Sequence, residues 1–182
     1  MRSFKTEGIV IKRKNFREAD RILTIYSKEK GKITVKAKGV RKITSRRSPH
    51  IELLNRAKFG LYQAAGANMP VLTEVESLEN FKILKNDLKR IGIAYHFCEL
   101  VDGLCAENQE NREIYDLLDK ALKTISVNKN LDLVAYRFEL KLLKLLGFYH
   151  DNEYLPMDQT QGFIESILER KLKAKQIMPR LS

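Results

Sequence analysis

The sequence predicts an α+β chain, with five short strands closing into a small barrel and helices following. Two periodicities carry that prediction. Up to about residue 77 apolar side chains alternate with polar ones, the period-two spacing of strands; from Phe81 they recur every three to four positions, the spacing of helices. Charge is the third observation. Residues 1–80 hold 18 Lys and Arg against 8 Asp and Glu, a net of +10, so the whole-chain +11 belongs almost wholly to the strand-rich part. A merely solubilised surface interleaves both signs. Concentration in one segment is the footprint of a polyanion, either a nucleic acid or an anionic membrane.

The first strand is residues 6–13, with Ile9 and Ile11 on one face and Gly8, Val10 and Lys12 on the other. A glycine inside a strand marks a bend or a close backbone approach. After a polar turn, Arg21–Ser27 is the second strand, and Lys28–Gly31 is a tight turn with Gly31 supplying positive φ. The third strand sets Ile33, Val35 and Ala37 on one side and Lys32, Thr34, Lys36 and Lys38 on the other, a lysine stripe expected to face water. Gly39 ends it and opens a loop with Arg41, Lys42, Arg46 and Arg47. A fourth strand is read through Ile51, Leu53, Ala57, Phe59 and Leu61, and a fifth over Val71–Ser77. The whole matches a five-stranded OB-fold barrel.

The helical part begins at Phe81, and its first helix runs to about Leu104. Leu84, Leu88, Ile91, Tyr95 and Cys98 form its seam, and other apolar residues cover its remaining faces, so it is expected to be buried nearly all round. Asn111–Ile125 is a second helix, and Leu131–Leu146 a third with Gly147 beyond its end. Gly162–Lys175 is an amphipathic helix of the tail. The expected domains are 1–80, an OB-fold nucleic-acid-binding barrel; 81–149, helical; and 150–182, a tail.

Several function classes find no support. At 43% hydrophobic and 31% charged residues, the chain is neither disordered nor membrane-spanning. Its first residues lack the apolar core of a signal peptide, so a cytoplasmic location is expected. Cys98 and Cys105 are about 10 Å apart along a helix, too far to bridge, and are read as reduced and buried. His50, His96 and His150 stand in no ligand-spaced motif; His96 and Glu99 share a helix face but fall short of a zinc site. Glu18 and Asp20 read as turn residues rather than a magnesium site. No glycine loop cradles a phosphate and no nucleophile motif is present, so no metal, no cofactor and no enzyme activity are expected.

The candidate binding residues are therefore the cations Lys32, Lys36, Lys38, Arg41, Lys42, Arg46 and Arg47, with Tyr26, Phe16 and Tyr62 as aromatics on which bases could stack. A second candidate surface is the stripe Arg137, Lys141 and Lys144, spaced four and three apart beside Leu140, Leu143 and Leu146. It would suit an acidic peptide ending in a proline and an aromatic. An adaptor acting through the helical part, or an RNA-binding barrel, are the alternatives, since a basic barrel face binds RNA and DNA alike.

Several short motifs stand in order along the chain: Glu7-Gly8-Ile9-Val10, Glu18-Ala19-Asp20-Arg21, Lys30-Gly31-Lys32, Lys38-Gly39-Val40-Arg41 with Ser45-Arg46, Glu99-Leu100, and the run from Phe138 to Gly147. Their order and spacing resemble the RecO family of bacterial DNA-repair proteins. The resemblance covers roughly residues 4–149. It implies a recombination mediator that binds single- and double-stranded DNA, engages single-strand-binding protein, anneals strands and, with RecR, helps load RecA. Two departures stand out. Many members carry a four-cysteine zinc module after the position of Gly147, whereas this chain has no cysteine beyond Cys105. The family's usual glycine before the Glu18 position is Arg17 here.

Overall fold

The computed structural model describes residues 2–150 and 154–174. The chain divides into two compact units: one runs to Asn80 and takes in Ala106–Tyr115, and the other comprises Phe81–Cys105 and the chain from Asp116. The 106–115 segment thus belongs with the strands, and the described part of the tail with the helices.

In the first unit, β1 (Arg2–Phe16), β2 (Asp20–Ser27), β3 (Gly31–Ala37), β4 (Arg56–Gln63) and β5 (Val71–Glu79) form a closed barrel in the order β1-β2-β3-β5-β4. All pairings are antiparallel except β3 with β5, which meet in parallel at Lys36 and Val71. That closure is backed by the Lys36 N–H donating to the Pro70 carbonyl at 2.9 Å. This is the OB-fold barrel predicted from the alternation.

β1 is longer than the predicted 6–13 because it pairs with β4 through its first half and with β2 through its second. A bulge between Val10 and Lys12 breaks its alternation and parts these two, read as sharing a face: Val10 lies in the core and Lys12 is exposed. At Gly8 the neighbouring strand comes close: a Cβ there would stand 2.4 Å from Ile25 Cγ2 and 3.1 Å from the Tyr26 carbonyl. The barrel core is Val10, Leu23, Ile25, Ile33, Val35, Ala37, Val40, Ile51, Ala57, Phe59, Leu61 and Leu72. Val40 and Ile51 are not strand residues; they close the core from the two ends of the basic loop. The predicted fourth strand is corrected over 51–55, where Ser48–Ile51 is a 3-10 turn entered at Pro49 and Leu54 takes φ +71°. Proline presets the turn's φ, and Ile51 is spent on the core instead of a ladder.

In the second unit α1 (Lys82–Lys85) is a single turn and α2 (Leu88–Leu104) starts afresh at Asp87, whose carboxylate accepts the Lys89 and Arg90 N–H groups at 3.0 Å. The predicted seam is therefore corrected. Leu88 is 62% exposed and Tyr95 is also exposed, while Ile93, Ala94, Phe97, Leu100 and Val101 are buried. Phe97 stacks on Phe138 of α4 (Leu131–Leu145) with centroids 4.1 Å apart. Leu142 and Leu143 of α4 are fully buried, but Leu140 and Leu146 only half so. α3 (Arg112–Val127), whose residues up to Tyr115 fall in the first unit, buries Ile114, Leu118, Ala121, Leu122 and Ile125 as its spacing predicts, while Leu117, on the same reading inward, is only partly buried. α4 ends in a Schellman-type turn: Gly147, at φ +77°, donates to the Lys144 carbonyl and Phe148 to that of Leu143.

The tail helix α5 is Met157–Leu168, not Gly162–Lys175. It begins earlier because Pro156 is a ready N-terminus, and it stops where Glu169 turns left-handed at φ +54°. Beyond it the Glu99 carboxylate accepts the Lys173 and Ala174 N–H groups at 3.0 and 2.9 Å and the Arg170 guanidinium at 2.6 Å. Residue 175 lies outside the described residues. No helix among the described residues is long and apolar enough to cross a membrane.

Candidate nucleic-acid interface

The loop between β3 and β4 is held at its base by the β1–β2 turn. The Asp20 carboxylate accepts the Gly39 N–H at 2.9 Å and faces the Lys36 ammonium at 3.7 Å. Arg41 donates its backbone N–H to the Ala19 carbonyl at 2.9 Å and its guanidinium to the Arg17 carbonyl at 3.0 Å. Arg47 closes the far side, donating to the Leu72 and Lys38 carbonyls at 2.9 Å each. With Val40 and Ile51 sunk in the core, the loop is a fixed projection.

What projects is positive. Lys38, Arg41, Lys42 and Arg46 are exposed, and no carboxylate among the described residues pairs with them or with Arg47. Elsewhere on the barrel several cations are matched. Lys5 meets Glu74 at 2.7 Å, Arg56 meets Glu7 at 3.0 Å, Arg13 and Arg21 share Glu52, and Lys58 stands opposite Glu76. Five of the 18 cations of residues 1–80, Lys38, Arg41, Lys42, Arg46 and Arg47, thus gather on the stretch 38–47, which holds no carboxylate of its own.

Beside the loop lies Phe16, 38% exposed at the end of β1. The Lys36 ammonium stands 4.9 Å from its ring centroid and the Arg17 guanidinium 5.3 Å, both within cation–π range. Arg17 occupies φ +53°, the left-handed region where glycine is at ease. Asp20 is held below the ordinary carboxylate range, first by the Gly39 N–H, against burial, with Lys36 and Arg17 assisting.

Two predicted site residues are corrected. Tyr26 is 1% exposed, with its hydroxyl donating to the Asn111 carbonyl at 3.4 Å, and so offers no face to a base. Lys32 is 8% exposed. Both lie under the 106–115 segment, which runs parallel to β3 at Lys32 and Glu107; the Lys32 carbonyl accepts the Asn108 N–H and Thr34 donates to Glu107, each at 2.8 Å. At Gly31, φ +64°, that segment comes so close that a Cβ would meet the Gln109 carbonyl at 1.8 Å. Lys36 is only partly exposed and serves Asp20 and Phe16. Tyr62 is half-buried on β4 opposite Val71. Arg17, which sequence reasoning noted only as a departure, belongs to the site.

In the second unit Arg137, Lys141 and Lys144 are exposed along α4, as their spacing predicts. The apolar partner surface is reduced, because Leu143 is wholly buried. No group of three or more His, Cys, Asp or Glu among the described residues could hold a metal ion. Burial first, and Asp102 next, push the Cys98 thiol up to about 12, leaving no thiolate near neutral pH.

The barrel order, its projecting cationic loop and a separate helical unit define an OB-fold protein with a helical extension. Comparison with known proteins gives the family. The description "Recombination protein O N terminal" matches residues 1–81 and "Recombination protein O C terminal" matches residues 85–153; the chain belongs to the recombination protein O family. It is similar to the DNA repair protein RecO of Roseiflexus sp. (strain RS-1), 39% identical over 147 residues, 81% of this chain and 51% of that one. It is similar also to the DNA repair protein RecO of Pelotomaculum thermopropionicum, 34% identical over 148 residues, 81% of this chain and 57% of the relative. With that of Moorella thermoacetica the identity is 38% over 144 residues, 79% and 53% of the two chains. The chain spans a little over half the length of these relatives.

Proposed function

We propose that this chain acts in DNA repair and recombination as a non-enzymatic DNA-binding and strand-annealing factor. The observation that carries the reading is the anchored loop of Lys38, Arg41, Lys42 and Arg46, exposed and without carboxylate partners. Such cations replace the counterions of phosphates, so binding is sequence-independent and weakens with salt. Two complementary strands repel through their phosphates; neutralising one of them on a fixed cationic projection lowers that repulsion and lets pairing proceed. Phe16, between Lys36 and Arg17, is the side chain placed to take a base face. The names of the relatives support a repair role. Co-operation with RecR in loading RecA, and contact with single-strand-binding protein, extend this reading to partners.

The test is fluorescence anisotropy with single-stranded DNA, duplex DNA and matched RNA over a series of salt concentrations. Binding whose logarithm falls linearly with log salt, alike for unrelated sequences, is expected. Salt-independent binding, or none at low salt, refutes the reading. A second reading, in which the helical unit is an adaptor for an acidic peptide, is favoured by the exposed Arg137, Lys141 and Lys144. A labelled acidic peptide ending in proline and an aromatic should bind the parent with micromolar affinity and lose it in the triple Glu variant.

A further inference from the structure

The tip of the basic loop carries a residue that charge does not explain. Ser45 donates its N–H to the Lys42 carbonyl at 2.9 Å, closing a turn whose two central residues are Ile43 and Thr44. Ile43 is fully exposed there, and Arg41, Lys42 and Arg46 around it are exposed too. A lone apolar surface residue needs no explanation in itself. This one stands at the apex of a projection pinned by Asp20, Arg47, Val40 and Ile51, and everything charged within three positions of it is cationic. A polyanion drawn in by these cations comes within reach of Ile43. A phosphate offers an isoleucine nothing, whereas the gap between two stacked bases offers an apolar slot. A β-branched side chain, stiff at χ1, suits that slot because little rotamer freedom remains to be lost.

We propose that Ile43 is a wedge that enters between base steps and unstacks them at a duplex end or a junction between duplex and single strand. The proposal rests on the nucleic-acid reading of the loop and adds a task to it, since the cations hold backbone while Ile43 opens the stack. The occupant it commits to is nucleic acid, chosen by the charge around the tip.

The experiment places 2-aminopurine, whose fluorescence rises on unstacking, at the terminal step of a duplex and at such a junction. Saturating parent protein should raise the signal about two-fold or more, and Ile43→Ala should lose more than half of that rise. Ile43→Leu should keep it. Affinity for single strands and its salt slope should be the same in all three, because every cation remains. An equal rise with Ile43→Ala, or a bound parent that leaves the probe stacked, overturns the wedge and leaves the loop's binding role standing. A parent that binds no DNA at all overturns both. Binding to phosphatidylserine vesicles that Ile43→Ala abolishes, with the DNA signal unchanged, would assign the tip to a lipid surface and overturn the proposal.

Discussion

Asp20 on β2 accepts the backbone N–H of Gly39, where the basic loop leaves β3, at 2.9 Å. The first consequence is a pH dependence. The folded carboxyl is held below its ordinary value, chiefly by that N–H, so its contribution is present above the ordinary carboxylate range and is lost as pH falls through the depressed value. Loop order should be unaffected near neutrality and decline only in acid. Asp20→Asn should remove that acid limb and speed amide exchange over residues 38–47 at pH 7, as read by hydrogen–deuterium exchange.

The loop cations divide into two kinds. Replacing Arg41, Lys42 and Arg46 together by Glu should weaken binding to every DNA sequence alike and lower the log–log salt slope for single strands by about two. Arg47 is tied to two carbonyls, so Arg47→Ala should instead lower the urea midpoint. Tyr26→Phe should leave the DNA affinity of the folded protein unchanged, since the side chain is covered. Anisotropy titrations separate these outcomes.

Arg17 bears a left-handed backbone beside an exposed ring. Arg17→Gly should relieve that strain and stabilise the barrel by about 1 kcal/mol. It should also remove a cation from the Phe16 platform and lower DNA affinity. A variant that is more stable and binds less well is the expected result of paired denaturation and binding curves; a gain in affinity would contradict the placement.

His96 and Glu139 meet at 2.6 Å with both side chains buried, joining α2 to α4. Removing either partner breaks a buried hydrogen bond between the two helices, a loss of about 1–3 kcal/mol. His96→Ala and Glu139→Ala should each lower the urea midpoint, and their double variant should lose less than the sum. A strictly additive double variant would mean that the two do not act as a pair.

The tail depends on two carboxylates. Glu99 gathers Arg170, Lys173 and Ala174, and Glu165 accepts the Leu172 N–H at 3.0 Å and the Lys171 ammonium at 2.9 Å. The Leu172 N–H first, and Lys171 with it, hold Glu165 down at about 2, so this clasp persists through any ordinary acid range. Glu99→Ala should loosen the backbone around Arg170, Lys171 and Lys173 and hasten trypsin cleavage there, as followed by mass spectrometry.

Much of this was legible in the sequence. Alternation located all five strands, because a half-buried strand writes its two faces into successive residues. Three-to-four spacing located α2, α3 and α4, and the exposure of Arg41, Lys42, Arg46, Arg137, Lys141 and Lys144 followed from charge, since a charged side chain is costly to bury. What local pattern could not say was which polar face would be covered. Tyr26 and Lys32 read as surface residues of β2 and β3, and they are surface residues of those strands; the 106–115 segment, distant in sequence, returns to lie over them. The same reason undid the seam of α2, since a helix apolar on several sides leaves its neighbours to choose which side is buried, and Leu88 and Tyr95 were left outside. Phe16, Arg17 and Lys36 became one group only when the β1–β2 turn folded against the exit of β3. Strands, helices and net charge follow from neighbours in sequence. The covered face and the aromatic–cation group come from contacts between distant segments, which only the closed barrel brings together.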